Sequence, residues 1–95
     1  MDTATRIKLA TDIALVACEF HPFVVLVDAD PERPITQWAC GRELPENLRI
    51  VACDLADVAA VMEAANKAGA SVLVDMRPEN SGKLSESAHA RESAT

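Results

Sequence analysis

Three aspartates stand where a small α/β protein could bind a metal ion and a phosphate. Asp28 ends the apolar run VVLVD, Asp30 follows in the sequence Asp-Ala-Asp-Pro, and Asp75 ends the similar run SVLVD. In an open parallel sheet, ligands bind beyond the carboxyl ends of the strands. Carboxylates placed there hold Mg²⁺ or its waters and orient an attacking water in phosphoryl transfer. The spacing leaves an alternative open, in which each aspartate caps the following turn by accepting from nearby backbone amides.

The hydrophobic pattern predicts the helices and strands that would carry these aspartates. Helical spacing of apolar residues predicts helices over 5–19, 35–40 and 55–67, with Asp54 as the N-cap of the last and Gly69 as its stop. Apolar runs predict strands over 23–27, 48–53 and 71–75. Because helices of this kind connect parallel strands, the fold class predicted is α/β with a parallel sheet and crossover helices.

Composition narrows the class of protein further. The chain has 95 residues, enough for one small domain, and its net charge of -6 argues against direct nucleic-acid binding by this chain alone. No apolar run reaches the roughly 20 residues of a membrane span, and no signal-peptide pattern opens the chain. We therefore expect a cytoplasmic protein without a membrane partner. The three cysteines suggest reduced thiols, because their spacing fits neither a zinc site nor a disulfide framework. Residues 81–95 are polar and predict a frayed helix or a disordered tail.

Three segments resemble the ParA/MinD family of partition and cell-positioning ATPases. VVLVDADPERPITQWA is similar to the family's V-L-L-V-D-x-D-P-Q-x-S-A-T-x-W, and LATDIALVA resembles its first helix, L-A-x-N-L-A. ASVLVDMRPENS resembles its Walker B strand and exit loop, V-L-I-D-T-P-P-G. The segments occur in the family's order. The resemblance therefore implies a partial P-loop NTPase-like fold over residues 1–80.

The same resemblance implies roles for the aspartates around ATP and Mg²⁺. Asp30 matches the aspartate that positions the hydrolytic water, which makes it the candidate catalytic residue. Asp28 matches the acid near the metal and its lysine partners and is the candidate cofactor-binding residue. Asp75 matches the Walker B acid and is the candidate metal ligand. Arg77 stands where the second Walker B proline is usual, either pairing with Asp75 or remaining an exposed loop residue.

The family's phosphate-binding loop, K-G-G-x-G-K-T-T, has no counterpart before the first predicted helix. Aligning LATD with that helix puts Arg6 at the loop lysine, Thr5 at the last glycine, and Ile7 and Lys8 at the two threonines. The loop's glycines let backbone amides approach the phosphates, its lysine neutralises them, and its threonine hydroxyl binds Mg²⁺. We therefore expect ATP hydrolysis to be impaired or absent. The chain would be a degenerate paralogue, a fragment, or a domain that completes itself by dimerising.

Function follows as an expectation from the resemblance. The first hypothesis is a ParA-like ATPase homologue involved in plasmid or chromosome partitioning, acting as a homodimer or with a partner ATPase or adaptor. The second is a non-catalytic α/β interaction module that pairs with itself or with an intact ATPase. A third is a nucleotide-binding fragment similar to the amidating ligases of cobyrinic acid synthesis, although the Thr-x-Trp pattern after the first strand argues against it.

Overall fold

A three-stranded parallel sheet organises residues 2–80, the part of the chain that the computed structural model describes. The strands are β1 (Val24–Asp28), β2 (Leu48–Ala52) and β3 (Ser71–Asp75), and their order in the sheet is β2-β1-β3. Every residue of β1 is buried, as expected of a central strand with both faces covered. The predicted α/β class with a parallel sheet is therefore confirmed.

Three α-helices cover the two faces of this sheet. They are α1 (Thr3–Phe20), α2 (Pro34–Ala39) and α3 (Val58–Lys67). Short 3-10 turns span Leu55–Asp57 and Pro78–Asn80. Within residues 2–80, no helix combines the length and apolarity needed to cross a membrane.

The alternation of side chains along β1 divides the core into two layers. Val24 and Leu26 pack with Ala14 of α1 and Ile35 of α2 on one face of the sheet. The intervening strand residues point to the other face, where they pack with Ala65 of α3 and with partly buried valines of the neighbouring strands. The layer under α1 and α2 consists largely of leucine and isoleucine side chains, whereas the layer under α3 consists mainly of valine and alanine.

The predicted boundaries agree with the structure to within one residue at most ends and differ by more at the starts of α1 and α3. Helix α1 begins two residues before the predicted start because the Asp2 carboxylate accepts from the Thr5 amide at 2.7 Å. The prediction that Asp54 caps a helix over 55–67 is wrong. Its side chain makes no capping hydrogen bond, and the first residues of that segment form a 3-10 turn instead. Gly69 ends α3 with φ of +83°, as predicted. The predicted polar tail, 81–95, lies outside the described residues.

Candidate functional site

The candidate site lies at the carboxyl ends of β1 and β3. Asp28 and Asp75 are direct neighbours in the parallel register, so the prediction that they share one edge of the sheet is confirmed. Asp30 lies in the loop after β1. All three are buried, with exposures of 0%, 3% and 2% for Asp28, Asp75 and Asp30. Buried carboxylates at this density require positive charges or hydrogen-bond donors around them.

Arg6 supplies most of that compensation from the first turns of α1. Its Nη2 atom donates to Asp30 Oδ2 at 2.6 Å, and its Nε atom donates to Asp75 Oδ1 at 2.9 Å. A longer contact of 3.4 Å joins Nη2 to Asp75 Oδ2. Only 15% of the Arg6 side chain is exposed. The guanidinium thus bridges two buried carboxylates by charge-assisted hydrogen bonds, the strong class of such bonds in proteins.

Arg77 provides a second, weaker positive charge from the loop after β3. Its Nε atom lies 3.4 Å from Asp30 Oδ1, and its Nη2 atom lies 3.7 Å from Glu32 Oε1. The side chain is 39% exposed. The sequence predicted that Arg77 either pairs with Asp75 or remains an exposed loop residue, and both predictions are wrong in part. Arg77 does pair with an aspartate, but that aspartate is Asp30, and its side chain is only partly exposed.

Asp30 also organises its own loop. The backbone amide of Glu32 donates to Asp30 Oδ1 at 3.0 Å, two residues along the chain, as in an Asx turn. This hydrogen bond confirms, for Asp30, the alternative prediction that the aspartate caps the following turn. The same oxygen lies near Arg77, so both carboxylate oxygens of Asp30 are occupied by groups of the chain itself.

Asp28 stabilises the start of α2. The backbone amide and the hydroxyl of Thr36 both donate to Asp28 Oδ2, at 2.9 and 2.8 Å. The other oxygen, Oδ1, is buried and has no hydrogen-bond partner among residues 2–80. Asp28 therefore caps a backbone amide, as the turn-capping alternative predicted. The amide belongs to a helix residue eight positions along the chain, rather than to a turn residue two or three positions along.

The backbone between Asp28 and α2 explains this long-range cap. Arg33, at the N-cap position, is left-handed with φ of 55° and makes no side-chain cap. Its Nη1 instead donates to the carbonyls of Asp28 and Cys53, at 2.9 and 2.7 Å, and its Nη2 to Asp54 at 3.2 Å. Sequence reasoning missed Arg33 and the pairing of Thr36 with Asp28. Pro34 at the first helical position was the available signal, because it marks a helix start whose amides need an acceptor.

The two arginine-paired aspartates differ in the direction of their pKa shifts. Burial alone would raise the pKa of Asp30, but the Glu32 amide and the charges of Arg6 and Arg77 outweigh it and lower that pKa. For Asp75, burial dominates and raises the pKa, and Arg6 offsets this only in part. The pKa of Arg6 is raised, because its two carboxylate partners outweigh the opposing effect of its burial. Arg6 is therefore held as a permanent cation between the acids.

The surroundings of these residues do not fit Mg-ATP. The N-terminus of α1, where a phosphate-binding loop would deliver the phosphates, is capped by the Asp2 carboxylate, which repels anions. The adjoining polar cavity is about 250 Å³, smaller than the roughly 300–1,000 Å³ of most small-molecule pockets. Both arginines that face it already pair with acids.

The donor set for a metal ion is also unsuitable. Within residues 2–80 no three His, Cys, Asp or Glu side chains come together in a group that could hold a metal. Asp28 directs its hydrogen-bonded oxygen at α2, and the oxygens of Asp30 and Asp75 face arginine. The cofactor-binding, catalytic and metal-binding roles implied for Asp28, Asp30 and Asp75 stay predictions.

Comparison of the chain with protein-family models, with curated protein sequences and with solved structures finds no match in any of the three. The fold and the site define the class: a small α/β domain whose buried acids at the carboxyl edge of the sheet are neutralised by arginines of the same chain. Function must be argued from that site.

Proposed function

We propose that the chain is a non-catalytic ParA/MinD-like protein, a degenerate relative of P-loop NTPases that serves plasmid or chromosome partitioning without hydrolysing ATP. Three motifs in the family's order support the relationship. The parallel sheet is compatible with it, because the acids of the two matching strands, Asp28 and Asp75, are register neighbours.

The single observation that carries the loss of catalysis is the position of Arg6. It aligns with the lysine of the family's phosphate-binding loop, yet its guanidinium bonds to Asp30 and Asp75 rather than facing an open phosphate site. Phosphoryl transfer needs one carboxylate to hold Mg²⁺ and another to orient water. Arg6 engages the two candidates for those tasks and supplies inside the chain the positive charge that Mg²⁺ would bring.

A second observation favours the interaction module as the way such a protein would act. Strand β3 lies at the edge of the sheet formed by residues 2–80. Helix α1 exposes the large apolar side chains Leu9, Ile13, Val16 and Phe20. Exposed apolar patches rimmed by polar residues mark interaction sites on many proteins. Pairing with another protein chain is therefore the activity that we assign to the non-catalytic protein.

The experiment is a thermal melt of the full chain with Mg-ATP, with Mg²⁺ alone and with ATP in EDTA, together with an assay of phosphate release. A ligand at 100 times its Kd stabilises the native state by about 2.7 kcal/mol, which would raise the Tm by roughly 10 °C or more in a domain of this size. We expect no Mg-ATP-specific shift and no phosphate release. Phosphate release that Asp75→Asn abolishes would overturn the loss of catalysis, and a Mg-dependent rise in Tm that the same variant abolishes would show that Arg6 leaves Asp75 free to hold the metal.

A further inference from the structure

We propose that the outer edge of β3 and the exposed stripe of α1 form a homodimer interface, in which two copies pair β3 with β3 antiparallel across a two-fold axis. The stripe consists of Leu9, Ile13, Val16 and Phe20. This inference deepens the interaction role proposed above, and rests on it, by naming a second copy of the chain as the partner.

Within the described part of the chain, the outer edge of β3 has backbone hydrogen-bonding groups that no other strand engages. At the ends of the strand, the Ser71 amide donates to Phe23 and the Asp75 carbonyl accepts from Ala29, both at 2.9 Å. Because the bonds of a parallel strand alternate in side, Val72 and Val74 direct their N–H and C=O groups away from β1. Within residues 2–80 no other strand pairs with this edge.

Nothing in the sequence of β3 protects that edge from pairing. Natural edge strands commonly carry lysine, proline or a bulge that prevents association. The strand SVLVD has none of these, whereas the opposite edge strand, β2, carries the exposed cation Arg49. The β3 edge is therefore the one suited to extension of the sheet.

The stripe on α1 lies beside this edge. Its four residues are spaced by four, three and four positions and so share one helix face, with exposures of 48%, 45%, 55% and 75%. Leu9 and Ile13 border an apolar groove whose other wall includes Leu73 of β3. At roughly half exposure for each large side chain, the stripe presents on the order of 400 Å² of apolar surface, within the range of patches that are functional in monomers.

A two-fold axis at Leu73 satisfies the strand edges of both copies. Val72 of one copy then lies opposite Val74 of the other, and each such pair exchanges both of its N–H···O=C bonds. Leu73 of each copy meets its symmetry mate at the close, non-hydrogen-bonded position. Leu73 packs with the core layer under α1, so this contact lies on the same face of the sheet as the helix stripes.

The same axis brings the two α1 helices together. Helix α1 packs against all three strands, on the face of the sheet that carries Leu73, so the two copies of α1 lie on one face of the paired sheets. Leu9 and Ile13 are the stripe residues that lie beside Leu73, so this axis brings them closest to the second copy.

The area of the surface also suits a second copy. Two stripes supply roughly 800 Å² of apolar area, and the paired β3 edges bring the total to about the 1,000–1,200 Å² at which specific interfaces begin. The strand edge is self-complementary under one symmetry operation, as a closed dimer requires.

The test is sedimentation velocity of the full chain over a range of concentrations. We expect a species of twice the 10.2 kDa chain mass. Val16→Glu places a charge in the apolar stripe of each copy and should weaken the dimer by roughly 100-fold. The matched control is Ala60→Glu, at an exposed site on α3 on the other face of the sheet, and should leave the dimer unchanged. Circular dichroism checks that both variants fold.

A folded chain that stays monomeric at all concentrations, including one that binds only a different protein, overturns the inference, as does a dimer that Val16→Glu leaves intact. Neither result changes the expectation that Mg-ATP does not shift the Tm. Conversely, a Tm shift with Mg-ATP in an intact dimer overturns only the proposed loss of nucleotide chemistry.

Discussion

Removing Arg6 should destabilise the protein strongly, in a way that depends on pH. The change Arg6→Ala leaves Asp30 and Asp75 buried with most of their compensating charge gone. Removing one partner of a buried ion pair typically costs about 3–5 kcal/mol, because an uncompensated charge stays in the interior. Arg77 remains near Asp30 at 3.4 Å, so the lower half of this range is expected.

That loss is large for a small domain. At roughly 0.05–0.15 kcal/mol per residue, residues 2–80 would have a total free energy of unfolding of about 4–12 kcal/mol. A loss of about 3 kcal/mol would lower the Tm by roughly 12 °C or more. Urea unfolding followed by circular dichroism measures the free energy of unfolding directly, provided that the slope with denaturant is unchanged by the substitution.

The sign of the pH dependence follows from the directions of the pKa shifts. In the parent protein the pKa of Asp30 is lowered, so its contribution is present above the unfolded value near 3.9 and is lost as the pH falls. Without Arg6, the folded-state pKa of both aspartates is higher than in the parent, because Arg6 lowers each of them. The deficit of the variant is therefore present when the aspartates are ionised and shrinks as the pH falls and they become protonated. The two unfolding free energies should therefore converge between pH 7 and pH 4.

Two controls separate this effect from a general loss of charge on α1. Lys8→Ala breaks the exposed Lys8–Asp12 pair on the same helix and should cause no measurable, pH-dependent change. Arg6→Lys keeps the charge but loses the fork that reaches two acids, so an intermediate loss is expected. An Arg6→Ala variant that loses less than about 1 kcal/mol, or whose deficit is equal at pH 7 and pH 4.5, would refute the reasoning.

Three further outcomes are expected from local contacts. Thr36→Val removes the hydroxyl bond to Asp28 and should cost about 1 kcal/mol of unfolding free energy in urea, whereas Thr36→Ser should cost much less. Gly69→Ala meets no atom within 4 Å, so its cost of about 1–2 kcal/mol comes from the left-handed backbone alone, and Gly69→Asn should be milder. Ellman's reagent should modify exposed Cys40 first, because burial raises the pKa of the other two cysteine thiols. Equal rates at the three thiols would contradict that order.

Local patterns predicted most of the fold. The continuous apolar run of β1 identified a strand buried on both faces, and the similar run at β3 identified its parallel neighbour. The common position of Asp28 and Asp75 followed, because strand direction alone determines which edge of the sheet a terminal residue occupies. Gly69 was predictable as a helix stop for a similar reason, since the left-handed backbone favours glycine.

The contacts of the site were harder to predict, because they join residues far apart in the chain. The alignment placed Arg6 at a lysine position, but its pairing with Asp75 spans 69 residues and depends on how α1 crosses the sheet. Arg33 adopts a left-handed conformation that its side-chain type does not suggest, and the guanidinium then reaches Asp54. That pairing also accounts for the wrong prediction at Asp54, whose carboxylate turns toward Arg33 rather than the following helix.

The Arg6 cluster and the proposed interface are connected through α1. Arg6 joins the first turns of this helix to Asp75 at the end of β3. Leu9, the first residue of the apolar stripe, lies about one turn further along the helix. Arg6 and Asp75 both line the groove that separates the stripe from the β3 edge. An ion pair in that position fixes the helix relative to the strand whose outer edge is unpaired among residues 2–80. The acids that resemble a nucleotide site thus acquire a structural use, because they hold together the two elements that a second copy would have to contact at once.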